Sequence, residues 1–271
     1  MLAYPRGMSI PVHEQRRLAT AVTGRDEASL AVSPPTNIEA AKIEAMVARR
    51  VAGEPLQYLE GSIQFGPIDL FVDQRALIPR PETEQVWEEA VASLRQAGPG
   101  TVIVDVGTGS GALALALKHS FPEAQVYGID VSKAALSLAE ENATHNGLDV
   151  TFAHGDLFDP LPKRLTGRVD LVVSNPPYVS EEEYGTLPPD VRDHEPRTAL
   201  VPGPSGTEVL SRIADEASWW VGIGGWVVCE IGESQGPTAE AIFSAFDREV
   251  KQDLVGRDRI LVARRGVSCC G

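Results

Sequence analysis

The chain has 271 residues, 43% of them hydrophobic, and its 24 basic and 38 acidic side chains leave a formal net charge of −14. That length accommodates one large domain plus a small one, and the charge sets the bulk surface against nucleic acid, which would need a local basic patch. Three cysteines, Cys229, Cys269 and Cys270, show no repeated spacing and argue against a disulfide framework or a four-ligand zinc site, so no metal is expected. No apolar run reaches membrane-spanning length, and the N-terminus lacks the layout of a signal peptide. A cytoplasmic protein with no membrane partner is the expectation, with a monomer as the default.

In chain order, "SIPVHEQRRLATAVTG" and "TNIEAAKIEAMVARRVAG" carry apolar residues at helical spacing and end at Gly24 and Gly53. Between them "SPPTN" is a loop, with Thr36 or Asn37 as the N-cap. "IQFGPIDLFVD" places two short apolar runs around Gly66-Pro67 and predicts a β-hairpin. "QRALIPRPETEQVWEEAVASLRQAG" predicts a proline-marked loop running into a helix. From Thr101 the pattern changes to strand–helix alternation. "TVIVDVG", "AQVYGIDV", "VTFAHGD", "VDLVVSN" and "GWVVCEIG" suit strands buried on both faces of a parallel sheet. "GALALALKHSF", "SKAALSLAEENATHNG" and "GTEVLSRIADEASWWVGIG" are the intervening helices, and "EVKQDLVGRDRILVARR" is a terminal antiparallel pair turning at "GRD". The expected fold is α/β: a doubly wound, mostly parallel seven-stranded sheet behind a small helical domain. The expected boundaries are a helical domain over 1–60, a hairpin linker over 61–80, the α/β domain over 81–265 and a tail over 266–271. Cys229 reads as a small core residue, and Cys269 and Cys270 as part of the tail.

The loop "DVGTGSG" follows the first strand of the sheet and opens its first helix. Gly107, Gly109 and Gly111, with Thr108 and Ser110 between them, allow a sharp turn and close approach of a ligand to the backbone. Asp130 ends the next strand, nineteen residues after Gly111, where a carboxylate can accept from both hydroxyls of a ribose. The spacing departs from the dinucleotide fingerprint and, with Asp105 ahead of it, leans towards S-adenosylmethionine over NAD. In "HGDLFDPL", Asp156 can accept from an adenine amine and Leu157 can pack on the ring, while His154 reads as a packing residue.

"NPPY", Asn175 to Tyr178, sits where the fourth strand ends, at the edge of an open sheet where ligands bind. Consecutive prolines cannot continue a ladder. They can fix two acceptors, the Asn175 side-chain oxygen and the Pro176 carbonyl, around a planar NH₂ group. Pro177 stiffens the turn, and Tyr178, read as exposed, can stack on a flat substrate. An amide or exocyclic amine is a poor nucleophile, so positioning is the chemistry such a motif supplies.

These motifs resemble the release-factor glutamine methyltransferases, the HemK or PrmC group. The resemblance runs from about Gly53 to Arg265 through "GEPLQYLEG", "LIPRPETEQV", "VDVGTGSGALALAL", "GDLFDPL", "VSNPPYV" and "HEPRTALVPGPSGTEVL". It implies that Gly107 to Gly111, Asp130, Leu157 and Asn175 line an S-adenosylmethionine site, with S-adenosylhomocysteine as product, and that Asn175 to Tyr178 hold a substrate glutamine. It implies further that Arg80, Pro81, Glu82 and Thr83 border the cofactor pocket. The "HEPRTAL" loop, His194 to Leu200, would pack behind the site, with Arg197 as an ion-pair partner. The partner implied is a peptide-chain release factor presenting Gly-Gly-Gln, docked on the N-terminal helices and the hairpin from Phe65 to Phe71. The alternatives are a nucleic-acid amino-methyltransferase acting on a flipped base and a cofactor-binding scaffold without turnover. The first sixty residues carry seven basic and seven acidic side chains and no aromatic platform, which makes nucleic acid an improbable partner. The N-terminal region and the tail "GVSCCG" depart from the family pattern, and Leu157 stands where some members carry an aromatic.

Overall fold

A computed structural model describes residues 10–95 and 97–266; Arg6 and the Cys269-Cys270 pair lie outside the described residues. The chain opens with α1 (Val12–Thr23), α2 (Glu27–Val32), α3 (Asn37–Val51) and α4 (Leu56–Glu60). Thr36 rather than Asn37 is the cap of α3, and a full capping box forms. The Thr36 hydroxyl accepts from the Glu39 N–H at 3.3 Å, and the Glu39 carboxylate accepts from the Thr36 N–H at 2.7 Å. α2 falls between the two expected helices, started by Asp26 accepting from the Ser29 N–H at 2.8 Å. Leu18, Ile43, Val47, Leu56 and Leu59 give these helices a small core of their own.

β1 (Ser62–Phe65) and β2 (Ile68–Phe71) form the expected hairpin, turning at Gly66-Pro67. Phe65 is 1% exposed and Phe71 is 40% exposed, so the Phe65 side chain belongs to the core. α5 (Pro81–Leu94) starts with Pro81 in its first turn, where a missing N–H costs nothing.

The main sheet then builds from β3 (Val102–Val106), α6 (Ala112–Ser120), β4 (Gln125–Asp130), α7 (Lys133–Asn146), β5 (Thr151–His154) and β6 (Val169–Ser174). Two single turns, α8 (Glu181–Tyr184) and α9 (Pro189–Arg192), precede α10 (Glu208–Trp220), β7 (Val221–Glu230), α11 (Gly236–Ile242), β8 (Asp247–Gln252) and β9 (Asp258–Arg264). The strand order is β5-β4-β3-β6-β7-β9-β8. β9 inserts between β7 and β8 and runs antiparallel to both; the other pairings are parallel. The seven-stranded, mostly parallel sheet is therefore the one expected. All five residues of β3 are buried. Val104 and Val106 face one core with Phe158 and Trp220, and Ile103 faces the other with Leu117 and Val126. Burial on both faces is why these strands read as unbroken apolar runs. Cys229 is fully buried in the first core, as expected. One boundary differs: "VGIG", expected at the end of a helix, opens β7. Glycine and β-branched residues are poor helix formers, and Gly222 lies so close to the Gly167 carbonyl that a Cβ would sit 3.1 Å from it.

The outer edge of β2 offers unpaired backbone groups, and α7 covers them with two side-chain amides one turn apart. Asn142 accepts from the Phe71 N–H at 2.7 Å and donates to the Phe71 carbonyl at 3.1 Å. Asn146 accepts from the Asp69 N–H at 3.2 Å and donates to the Asp69 carbonyl at 2.7 Å. Both amides stand in for a neighbouring strand. Asn142 is fully buried and also donates to the Ser110 carbonyl at 2.9 Å, tying the hairpin to the glycine loop. Asn142→Ala leaves these groups unpaired and should lower the unfolding free energy by about 1–3 kcal/mol. The signature is a lower denaturant midpoint at unchanged slope; an unchanged midpoint would show that the hairpin holds without this clamp.

Candidate active site

Strand order reverses at β3, and the C-terminal ends of β3, β4 and β6 meet around one cavity. Gly107, Thr108, Gly109, Ser110, Asp130, Asp156, Leu157, Asn175, Pro176 and Pro177 all line it. Gly111 lies one residue beyond, at the start of α6, where a Cβ would come 3.2 Å from that of Ala139. Gly107, Gly109 and Gly111 have φ of 73°, 55° and 86°, a region that favours glycine, so the loop's shape requires them.

The acids under this loop have separate tasks. One Asp130 oxygen accepts from the Gly109 N–H at 2.9 Å and the other from the Ser132 N–H at 2.8 Å. The carboxylate is thereby locked, with a lone pair on each oxygen still available, and burial raises its pKa. Asp105 is 1% exposed. One of its oxygens accepts from the Thr108 hydroxyl at 2.6 Å and the Ala114 N–H at 3.1 Å; the other has no partner. Burial pushes Asp105 up to about 7, against the lowering effect of those two bonds.

Asp156 is half exposed, and Arg212 takes its two oxygens at 3.2 and 2.9 Å. Leu157 has φ of 45°, unusual for a residue with a side chain, at the wall of the cavity. His154 is not packed in the core as expected: it is exposed, with Nε2 3.0 Å from the Val131 carbonyl. β5 is the edge strand of the sheet, which leaves its last residue in solvent.

At the end of β6 the Ser174 hydroxyl donates to the Val106 carbonyl at 2.6 Å, fastening β6 to β3. Asn175 donates from Nδ2 to the Thr83 hydroxyl at 3.1 Å. That hydroxyl in turn donates to Glu230 Oε2 at 2.7 Å, and the Tyr178 hydroxyl donates to Glu230 Oε1 at 3.1 Å. Tyr178 is half-buried rather than exposed and is not among the residues lining the cavity. Its ring is turned inward by Glu230, and its carbonyl accepts from Gln235 at 3.0 Å. Of the four residues expected beside the pocket, Thr83 lines it. Arg80 and Pro81 line a second groove, with Arg16, Arg17 and Gln57, and Glu82 lines neither. Arg80 pairs with the buried Glu195 carboxylate. Pro196, Thr198 and Ala199 place the "HEPRTAL" loop in the cavity wall rather than behind it. Arg197 is an ion-pair partner as expected, 2.5 Å from Glu181, with its guanidinium over the Tyr184 ring.

Sequence reasoning missed two residues here. Glu230 ends an apolar strand with a carboxylate at the ligand-binding edge of the sheet, a readable signal. Val131 is 60% exposed and lines the cavity directly after Asp130, marked only by being apolar at a strand end.

Among solved structures, the ribosomal protein L11 methylase of Lactobacillus delbrueckii subsp. bulgaricus matches with a TM-score of 0.52 at 22% identity, over 71% of this chain and 82% of that one. A methyltransferase from Pyrococcus furiosus matches with a TM-score of 0.54 at 18% identity, over 86% and 100%. At such identities the likeness shows the fold, and that fold is the Rossmann-like methyltransferase fold. The family model described as methyltransferase small domain matches residues 90–187, and the PrmC N-terminal domain matches residues 5–61. The release factor glutamine methyltransferase of Geobacter sulfurreducens is 39% identical over 259 residues, 93% of this chain and 89% of that protein. That of Mycolicibacterium smegmatis is 40% identical over 267 residues, 96% and 92%. The chain belongs to the release factor glutamine methyltransferase family.

A buried acid with one unpartnered oxygen costs the ligand-free fold stability. Because the folded pKa of Asp105 is raised from 3.8 to about 7, its neutral form is the stabilised one. The stability is fully present below about pH 4 and is lost as pH rises through about 7. Asp105→Asn should therefore be more stable than the parent by roughly 1–3 kcal/mol above neutrality, with the gap closing towards acid. Denaturation across pH checks this, and a gap independent of pH would contradict it.

Proposed function

We propose that this protein transfers a methyl group from S-adenosylmethionine to the side-chain amide nitrogen of the glutamine in the Gly-Gly-Gln motif of peptide-chain release factors. The observation that carries the reading is Asn175, whose amide nitrogen is tied to Thr83 and whose oxygen is left as an acceptor beside the glycine-loop cavity. The residues present fit the cofactor. Among the described residues the cavity wall holds three acids, Asp105, Asp130 and Asp156, and one cation, Arg75, which Asp73 and Glu141 already pair. The orphaned Asp105 oxygen is an acceptor without a donor, suited to a ligand that brings an ammonium group. Asp130 has the free lone pairs for a pair of ribose hydroxyls. Val131 and Leu157 offer apolar surface to a purine. Asp156 can serve an adenine amine by sharing the carboxylate that Arg212 holds.

When bound, S-adenosylmethionine would supply an electrophilic methyl on a sulfonium centre; the C–S bond pair would leave with S-adenosylhomocysteine, and the methylated nitrogen would release one of its two protons to solvent. The protein must supply geometry, because an amide lone pair is delocalised and weakly nucleophilic. Asn175 Oδ1 and the Pro176 carbonyl accept the two N–H bonds of the substrate amide, and the rigid prolines keep both acceptors fixed. Alignment of this kind is worth on the order of 7–11 kcal/mol. Tyr178 takes a different part from the stacking first expected: its hydroxyl is committed to Glu230, so it braces the Asn-Pro-Pro turn.

One glutamine must be chosen among many, and a small amide pocket cannot do that. Docking of a folded partner is required, and the second groove, between the N-terminal helices and the hairpin, is the surface we assign to it; its arginines Arg16, Arg17 and Arg80 are balanced by Glu27, Glu60 and Glu84.

Purified protein given labelled S-adenosylmethionine and release factor should place the methyl on the Gly-Gly-Gln glutamine, as read by peptide mass spectrometry. Methyl found only on nucleic acid would overturn the substrate assignment. Asn175→Ala should lose roughly 100-fold in single-turnover rate at saturating cofactor. Asp130→Ala should weaken S-adenosylhomocysteine binding by about 1–3 kcal/mol, with calorimetry as the check and unchanged affinity as the contrary result.

A further inference from the structure

Glu230 is 1% exposed, and among the described residues no cation lies within ion-pair distance of it. Arg259 of β9 faces it but is engaged by Asp253 at 3.7 Å and the Ile231 carbonyl at 3.3 Å. A buried carboxylate without a paired cation is costly, and its two hydrogen bonds must compensate. Both bonds come from hydroxyls, Thr83 and Tyr178, at 2.7 and 3.1 Å. Each hydroxyl has a single proton. Once Thr83 gives its proton to Glu230, it can only accept from its other neighbour, Asn175. An amide offers an N–H₂ end and an oxygen end, and only the N–H₂ end satisfies an acceptor.

Resting on the function proposed above, we infer that Glu230 is a positioning residue for methyl transfer: through Thr83 it sets which end of the Asn175 amide faces the substrate. With Glu230 ionised, the chain of donors runs from Asn175 to Thr83 to Glu230 and leaves Oδ1 free to accept from the substrate amide. If position 230 donates instead, Thr83 can donate to Asn175 Oδ1. The amide then presents its N–H₂ end to the substrate N–H₂, donor against donor. Tyr178 donates to the second Glu230 oxygen and so couples the far end of the same turn to the same carboxylate.

The charged and titratable groups facing Glu230 are Arg259 from β9, Tyr178 from the turn after β6 and Glu82 from α5. Burial, the largest influence, raises its pKa, with the Thr83 and Tyr178 bonds opposing. Transfer should therefore fade as pH falls through a value above the ordinary carboxylate range.

The test compares wild type with Glu230→Met, Thr83→Val and Thr83→Ser. Methionine is chosen because a glutamine oxygen could still accept from Thr83 while its N–H₂ donates to the Tyr178 hydroxyl. Single-turnover methylation of release factor at saturating S-adenosylmethionine should fall roughly 100-fold in Glu230→Met, the scale expected when a reacting group is misplaced. It should fall in Thr83→Val as well and recover in Thr83→Ser, which restores the hydroxyl. The acid limb assigned to Glu230 should disappear in Glu230→Met. Affinity for S-adenosylhomocysteine should stay within a few-fold of wild type. A second readout needs no substrate: the ¹⁵N side-chain amide signal of Asn175 should shift in both Glu230→Met and Thr83→Val. Wild-type transfer rates in Glu230→Met, or rate and cofactor affinity lost together, would overturn the inference. If the wild type leaves release factor unmethylated, the proposed function fails. The Asn175 signal then decides this inference alone: movement in both variants supports it and no movement refutes it.

Discussion

The Thr83 hydroxyl has one proton, and Glu230 takes it. Thr83 lies in the first turn of α5, Glu230 ends β7 and Asn175 follows β6, so this donation joins segments 147 residues apart, and the Asn175 amide, donating to the same hydroxyl, adds a third segment 92 residues from Thr83. The arrangement around the cavity follows from it. α5 starts beside the C-terminal ends of β6 and β7, and the proline-marked loop before it lines the cavity through Leu77 and Pro79. Arg80 then reaches the buried Glu195 and draws in the "HEPRTAL" segment as the facing wall. The Asn-Pro-Pro turn is held at one end by Thr83 and at the other by Tyr178, both through one carboxylate.

Two buried carboxylates, Asp105 and Glu230, and the half-buried Asp130 stand in or behind the wall of a site whose one lining cation among the described residues, Arg75, is already paired. Desolvation raises the pKa of Asp105, Asp130 and Glu230 alike. Their uses differ according to which lone pairs the protein consumes. Asp130 spends one on each oxygen to shape the glycine loop and keeps the others for a ligand. Asp105 has one oxygen fully committed and one open. Glu230 turns both oxygens to protein hydroxyls, which is why its effect on a substrate must pass through Asn175. The site is thus less stable by itself than an apolar one would be, and the part left unsatisfied is complementary to a cationic, hydroxyl-bearing ligand.

The sequence showed most of the frame. Strands buried on both faces read as continuous apolar runs, the glycines demanded by positive φ stood out between β3 and α6, and Thr36-Asn37 announced a helix start, though which of the two was the cap had to come from the structure. Asp130 and Asn175 were readable because each ends a strand at the ligand-binding edge. What was hidden depended on partners distant in sequence. Nothing near Tyr178 told that Glu230 would turn its hydroxyl inward, and nothing near Asp156 told that Arg212 would hold its carboxylate. Phe65 and Phe71 look equivalent in a hairpin, but alternation along a strand sends one into the core. His154 ends an edge strand, and only the strand order reveals that its side chain is in solvent.

The hairpin carries a constraint of a different kind. Asn142 bonds both backbone groups of Phe71 and the Ser110 carbonyl, so one buried amide fixes the hairpin against the glycine loop. Arg75 adds a second tie, to Asp73 in the linker and to Glu141 on α7. The N-terminal helices attach through this hairpin, and Arg50 of α3 reaches both Glu14 of α1 and Asp190 of α9. Under the proposed function, a partner docked on those helices would be held at a defined distance from the glycine loop that shapes the cavity. Positioning chemistry needs such a constraint, because an error of about 1 Å at the reacting group can cost on the order of 100-fold in rate. A flexible linker would let the partner dock without bringing its glutamine to Asn175. Two asparagines that stand in for a β-strand remove that freedom, and under the proposed function they would convert binding energy far from the amide into alignment at it.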